Sequence, residues 1–223
     1  MLKKAVLGIV LAVLAVKLLK LWPSSCLCTI PGRLDGRVVL ITDGPSFLGP
    51  ETAAEFARRG AKVLIAGASR AGFESVRNSI LQDYGVGGLK VNEDIASEEL
   101  RQFIRPVNES QFVFLEAHLN SLASVGQLAK DVAKVTDRLD FLINNAVVNH
   151  GPYRLTMDKL EMTMAIGHLA HYLLTDRLFP LMAKSKPRAR VIIISSAEHY
   201  SGSFADGSLF VEHHEFNTIK AFS

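Results

Sequence analysis

The chain has 223 residues, 48% of them hydrophobic, and a formal net charge of +3. That length carries one domain with a substantial core plus an extension, and so small a positive excess, with no basic stripe interleaved with aromatics, excludes a nucleic-acid partner. Only Cys26 and Cys28 are present, too close in sequence for a good mutual disulfide, which excludes a disulfide framework.

At the N-terminus Lys3-Lys4 precede an unbroken apolar run from Ala5 to Val16, continued by Leu18-Leu19 and Leu21-Trp22. The unbroken part has the length of a signal-peptide core. Taken to Trp22 it makes a helix of about 27 Å, close to hydrocarbon thickness. Lys17 and Lys20 suit snorkelling, Trp22 suits the interface, and Pro23 ends the helix. No small-x-small cleavage site follows, so residues 1–22 are expected to be a retained membrane anchor, with a cleaved signal or a helix lying in the interface as alternatives. Residues 23–35 read as a linker, in which Cys26 and Cys28 are either palmitoylation sites or inert thiols. Lys17, Lys20, Arg33 and Arg37 lean the remaining domain, 36–223, toward the cytosol.

From Arg37 strand and helix patterns alternate. Arg37 to Thr42 is a short apolar run of the kind buried on both faces, followed by a helix from Pro50 to Arg59 and a strand from Lys62 to Ala66. A helix is expected over Phe73 to Tyr84, then a surface insertion over Gly85 to Ser110, too long and glycine-rich for an ordinary connection. It carries the glycosylation sequon Asn108-Glu109-Ser110, relevant only to a luminal domain. Strands follow at Gln111–Leu119 and Leu139–Asn144, separated by a helix over Leu122–Lys134. A long helix is expected over Asp158–Ala183 and a fifth strand over Arg190–Ser195. This alternation specifies an α/β fold, a doubly wound parallel Rossmann-type sheet of about five strands with right-handed crossovers.

In such a sheet the first strand-to-helix turn holds a dinucleotide pyrophosphate against helix N-terminal amides. Here the turn runs Thr42-Asp43-Gly44-Pro45-Ser46-Phe47-Leu48-Gly49, and Gly44 and Gly49 alone are a weak signal. Several later stretches sharpen it: Arg59-Gly60-Ala61-Lys62-Val63, Leu142-Ile143-Asn144-Asn145-Ala146, Gly167-His168-Leu169-Ala170-His171 and Val191-Ile192-Ile193-Ile194-Ser195-Ser196. In this order and spacing the chain resembles the short-chain dehydrogenase/reductase family from about Leu34 to Lys220, especially its retinol-dehydrogenase-like branch with an N-terminal membrane anchor. The resemblance implies that Ser196 polarises a substrate carbonyl, that Lys220 binds the nicotinamide ribose, and that Gly44, Gly49, Asn144 and Ala146 lie against an NADP or NAD cofactor. It also implies a location at the endoplasmic reticulum or a lipid droplet surface.

The same resemblance marks departures. Phe216 stands where the family has its catalytic tyrosine, so Phe216-Asn217-Thr218-Ile219-Lys220 keeps the spacing of the Tyr-x-x-x-Lys pair without its phenol. Asp43 and Phe47 occupy glycine positions of the phosphate turn. A Cβ there obstructs the backbone, and at about 4 Å and an effective dielectric near 20 the Asp43 charge opposes a pyrophosphate by on the order of 4 kcal/mol. Ala68 replaces an arginine that favours a 2′-phosphate, with Arg70 two residues on as a substitute. His118 replaces the adenine-holding aspartate, Val147 a glycine, and Gly167 the active-site asparagine that bends its helix. Tyr200, His213 and His214 can exchange protons, but none has the position of the lost phenol.

Family members continue past the lysine helix with further strands and a substrate lid, whereas this chain ends at Ser223. The fifth strand is therefore expected as an open sheet edge, available to a protein partner. The expectation is a catalytically silent, membrane-anchored homologue with a scaffold or interaction role and no bound cofactor. The alternative is an NADP(H)- or NAD(H)-dependent oxidoreductase acting on a lipophilic alcohol or ketone such as a retinoid or steroid.

Overall fold

The computed structural model describes residues 31–89, 101–148, 152–196 and 200. The anchor expected over 1–22, the cysteines, most of the linker, and His213, His214, Phe216 and Lys220 lie outside the described residues. Among the described residues no helix is long and apolar enough to cross a membrane.

Strand β1, Val38–Thr42, is buried at every position. An apolar run without alternation fits only where both faces of a sheet are covered. It pairs in parallel with β2 (Lys62–Gly67) on one side and β4 (Phe141–Asn144) on the other. Beyond them lie β3 (Phe112–Glu116) and β5 (Arg190–Ile193), giving the order β3-β2-β1-β4-β5. The chain builds outward from β1 to β3 and then returns to the other side of β1. That reversal opens a crevice at the carboxyl ends of β1 and β4.

Successive strand residues point to opposite faces, and each face has its own core. Val39, Ile41, Val63, Ile65 and Ile143 meet Ala53, Ala57, Phe73 and Ile80 of α1 (Gly49–Arg58) and α2 (Arg70–Tyr84). Leu40, Leu64, Leu115 and Leu142 meet Val125, Leu128, Leu174 and Leu178 of α3 (Leu122–Val135) and α4 (Ala170–Met182). At the opposite end of the sheet from the crevice, Asp140 ties the strands together. Its carboxylate accepts from the Val38 amide (2.8 Å), Ser185 Oγ (2.6 Å) and the Arg37 guanidinium (2.7 Å). Burial works to raise its pKa, but the bonds from Ser185, Arg37 and Val38 and the Arg138 charge outweigh it and hold the group below the usual carboxylate range.

Two local expectations need correction. Helix α2 starts at Arg70 rather than Phe73, because Ser69 Oγ accepts the Gly72 amide (3.1 Å) and caps the extra turn. The long helix does not begin at Asp158. Lys159 has φ +61°, Leu155 and Glu161 form an antiparallel bridge, and the Glu161 carboxylate caps the amides of Thr163 and Met164 at 2.8 Å each. A short α-turn, Met162–Met164, and a wide π-turn, Ala165–Leu169, then lead into α4. Asp158 instead accepts the Leu122 amide (2.7 Å) at the start of α3. Both carboxylates satisfy helix-start donors that have no partner within their helix.

The stretch expected as a surface insertion is anchored on both flanks. Gly85 bridges Val107, the Arg105 amide donates to the Arg58 carbonyl (2.9 Å), and Val107 is buried in the core beside α2. Asn108 caps the short 3₁₀ turn Glu109–Gln111 through its side chain. At β5, Ile192 packs on the α1 and α2 side, while Val191 and Ile193 are exposed on the other. Among the described residues β5 ends the sheet.

Candidate functional site: the crevice between β1 and β4

The turn after β1 keeps a shape that glycine would favour, built from residues that are not glycine. Asp43 has φ +48° and Phe47 φ +52°. Aspartate enters the left-handed region with some ease; for a bulky residue such as phenylalanine the cost is roughly 1–2 kcal/mol. The turn closes through Ser46 N–H to the Asp43 carbonyl and Gly49 N–H to the Ser46 carbonyl, 3.0 Å each. Ser46 Oγ also donates to the Asp43 carboxylate, so that charge is engaged within the turn. The Phe47 side chain stands half in solvent at the start of α1.

Gly44 and Gly49 survive for packing reasons. A Cβ on Gly44 would sit 2.6 Å from Ile65 Cγ2. One on Gly49 would sit 2.7 Å from the Gly44 carbonyl carbon and closer still to its oxygen. Leu48 supplies no side-chain cap to α1, but Pro50 has no N–H and the Gly49 and Thr52 amides are bonded to the Ser46 and Leu48 carbonyls, so this helix start offers an anion few of the donors such a site uses. Glu51 in the first turn places a negative charge at the same end.

Behind the turn lies a buried polar frame. Thr42 Oγ1 accepts the amides of Asn145 (2.9 Å) and Ala146 (3.1 Å). Asn145 Nδ2 in turn donates to the carbonyls of Thr42 (3.1 Å), Asp43 (3.1 Å) and Ser46 (3.2 Å), pinning the turn to the end of β4. Asn144 Nδ2 donates to Thr175 Oγ1 (3.3 Å) on α4. Among the described residues the side-chain oxygens of both asparagines are buried without a hydrogen-bond partner. Buried acceptors are normally satisfied, at a penalty of about 1–3 kcal/mol when they are not, so a polar ligand reaching this end of β4 would find acceptors ready. His171 lies 3.0 Å from Thr42 Oγ1 and 3.2 Å from the Gly167 carbonyl. Burial pushes its imidazole below the ordinary pKa, the Gly167 carbonyl acts upward and His168 downward, with burial dominant.

Of the residues singled out in the sequence, Gly44, Gly49, Asn144 and Ala146 converge on this crevice. Ser196 is half-buried just past the end of β5; Lys220 and Phe216 are outside the described residues. Gly167 sits in the wide turn before α4. The bend associated with asparagine at this position persists without that side chain, carried by the Ala170 N–H to Ala165 carbonyl bond. Arg70 stacks its guanidinium on Phe114, 4.8 Å from the ring centre. His118 is an exposed surface residue beside Glu116. Among the described residues no cluster of His, Cys, Asp or Glu could hold a metal ion. The resemblance implied that the Asn144-Asn145-Ala146 stretch stabilises the central sheet, but sequence reasoning did not single out Asn145 as pinning the turn, nor the contact between His171 and Thr42. The available signal was polar side chains at the ends of otherwise apolar buried elements.

The short chain dehydrogenase family model matches residues 84–205. Mouse retinol dehydrogenase 14 is 36% identical over 166 residues, which cover 74% of this chain and 46% of that protein. Human retinol dehydrogenase 13 is 28% identical over 208 residues, 93% of this chain and 56% of that protein. The chain thus spans about half the length of the curated relatives it matches. Among solved structures, an uncharacterized protein from Mycobacterium paratuberculosis superposes with a TM-score of 0.65 at 26% identity, covering 89% of this chain and 60% of the other. The Pseudomonas aeruginosa RhlG/NADP complex has a TM-score of 0.57 at 21% identity, covering 85% and 61%, a likeness of fold alone.

Proposed function

The chain belongs to the short chain dehydrogenase family, and on that premise we propose that it is an NADP(H)- or NAD(H)-dependent oxidoreductase domain for a lipophilic alcohol or ketone of the retinoid or steroid kind. One observation carries the cofactor half of this reading. The backbone holds left-handed torsions at Asp43 and Phe47 against their side chains, with Asn145 bonded to three carbonyls of β1 and its turn. The retinol dehydrogenase names of the relatives carry the substrate class.

Gly44 and Gly49 of the turn, together with Asn144 and Ala146, would lie against the dinucleotide, and Lys220 against its nicotinamide ribose. A bound nicotinamide supplies or accepts the hydride. Ser196 would donate a hydrogen bond to the substrate oxygen on which negative charge develops. The proton that balances the hydride has no donor at Phe216 and must come from solvent. Loss of a positioned acid–base group costs about 10²- to 10⁴-fold, so turnover is slow by family standards. Attachment to a membrane through residues 1–22, at the endoplasmic reticulum or a lipid droplet, belongs to the same proposal.

A second reading, a catalytically silent domain with an interaction role, is favoured by Phe216 itself and by the charges of Asp43 and Glu51 at the phosphate end. Calorimetric titration of the full chain in mild detergent with NADPH and NADH separates the two, followed by retinal reduction by the wild type and Phe216→Tyr. The oxidoreductase reading expects micromolar binding and a rise in turnover of at least ~100-fold in the variant. A folded chain that binds neither cofactor at millimolar concentration leaves only the silent reading.

A further inference from the structure

We propose that His171 is a positioning residue for the turn after β1, acting as a hydrogen-bond acceptor that sets the direction of the Thr42 hydroxyl. The proton arithmetic is closed. A threonine hydroxyl has one hydrogen and two acceptor sites. Both acceptor sites of Thr42 Oγ1 are taken, by the amides of Asn145 and Ala146. Its hydrogen must therefore go outward, and His171 Nε2 at 3.0 Å is a better target than the Ile143 carbonyl at 3.4 Å. Nε2 must then be bare. At the other side of the ring Nδ1 faces the Gly167 carbonyl, which can only accept, so Nδ1 carries the hydrogen. The two ends of the imidazole independently require the same neutral tautomer.

The consequence reaches the turn by short steps. A bare Nε2 draws the Thr42 hydrogen toward α4 and leaves both lone pairs facing the amides of Asn145 and Ala146. Those amides fix the backbone from which the Asn145 carboxamide reaches the Thr42, Asp43 and Ser46 carbonyls. The wide turn before α4 is thereby coupled to the left-handed turn at Asp43 and Phe47. His171 touches no reacting atom; it acts through Thr42.

Three substitutions dissect the ring. His171→Gln places an acceptor near the Nε2 position and keeps the Thr42 bond. His171→Asn reaches only toward Gly167, and His171→Leu makes neither contact. In amide hydrogen exchange on the full chain, the Asn and Leu variants should expose the Ser46, Gly49 and Asn145 amides about tenfold faster than wild type, on the scale of one buried hydrogen bond. The β2 amides should be unchanged, and the Gln variant should match wild type. Nitrogen NMR of the wild-type ring should show a protonated Nδ1 and a bare Nε2.

Uniformly faster exchange across the domain in all three variants, or a protonated Nε2 in the neutral wild type, would overturn the proposal. Its bearing on cofactor affinity rests on the proposed function, whereas the exchange and NMR measurements need no cofactor. If the turn loosens as described but NADPH binds neither wild type nor variant, the cofactor reading fails and the positioning role stands.

Discussion

Phe47 offers a test in which the usual ranking of alanine and glycine reverses. Its backbone lies at φ +52°, and half of its surface is exposed. Both Phe47→Ala and Phe47→Gly remove the same ring, so whatever that ring contributes by burial cancels between them. What remains is the backbone. Alanine keeps the left-handed penalty of roughly 1–2 kcal/mol, whereas glycine avoids it but forfeits about 0.5–1 kcal/mol through its freer unfolded chain. The glycine variant should therefore be the more stable by about 0.5–1 kcal/mol, the inverse of the order at an ordinary helix or strand position. For a domain of this size that is a melting difference of roughly 1–4 °C. Urea denaturation of both variants, with equal slopes, reads the difference directly from the midpoints. Equal midpoints, or an alanine variant above the glycine variant, would refute the assignment of strain to position 47.

Other substitutions probe the frame around the crevice and the far end of the sheet. Gly49→Ala drives a Cβ against the Gly44 backbone and should cost about 1–3 kcal/mol in thermal or urea unfolding. Asp140→Asn strips the charge from a buried group shared by Arg37, Val38 and Ser185 and should cost about 3 kcal/mol. Because the folded pKa of Asp140 is depressed, its contribution is present above the unfolded value near pH 4 and is lost as pH falls through the lower folded value. The Asn variant should show a shallower acid limb. His171 is a base held below its ordinary pKa by burial, so the unfolded chain takes up its proton first as pH falls. Stability from this site is complete above about pH 6.5 and declines below it toward the folded pKa. Comparing urea midpoints at about pH 7.5 and about pH 5.5 should show a smaller loss in His171→Gln than in wild type.

The catalytic expectation and the comparisons pull in different directions, and the chemistry says where they meet. The family resemblance implies cofactor or proton-transfer roles at the positions that Asp43, Phe47, Gly167 and Phe216 occupy. The relatives are named as retinol dehydrogenases. The proposed function reconciles the two as cofactor binding with weak turnover, and Phe216→Tyr is the substitution that tests it.

Much of the fold was legible because its cause is local. Apolar runs such as Val38–Thr42 and Lys62–Gly67 cannot alternate faces and must be covered on both, which specifies a parallel sheet with helices on each side. The glycines at 44 and 49 could be placed at a strand-to-helix turn from spacing alone. Boundaries were less legible wherever a polar side chain caps a helix from outside the apolar pattern, as Ser69 does for α2 and Glu161 does before α4. The helix expected from Asp158 failed for that reason: helical periodicity continues past the point where a carboxylate satisfies the first amides.

The amino-acid sequence by itself determined the layered α/β fold, because apolar runs and their alternation are properties of residue type and spacing, and its motifs carried the resemblance that pointed to the family. Only the tertiary structure decided that the turn keeps left-handed torsions at Asp43 and Phe47, and that Thr42, Asn145 and His171 form one hydrogen-bonded unit. Thr42 and His171 are separated by 129 residues. Their meeting depends on the packing of α4 across the carboxyl ends of β1 and β4, a three-dimensional arrangement that spacing along the chain does not encode.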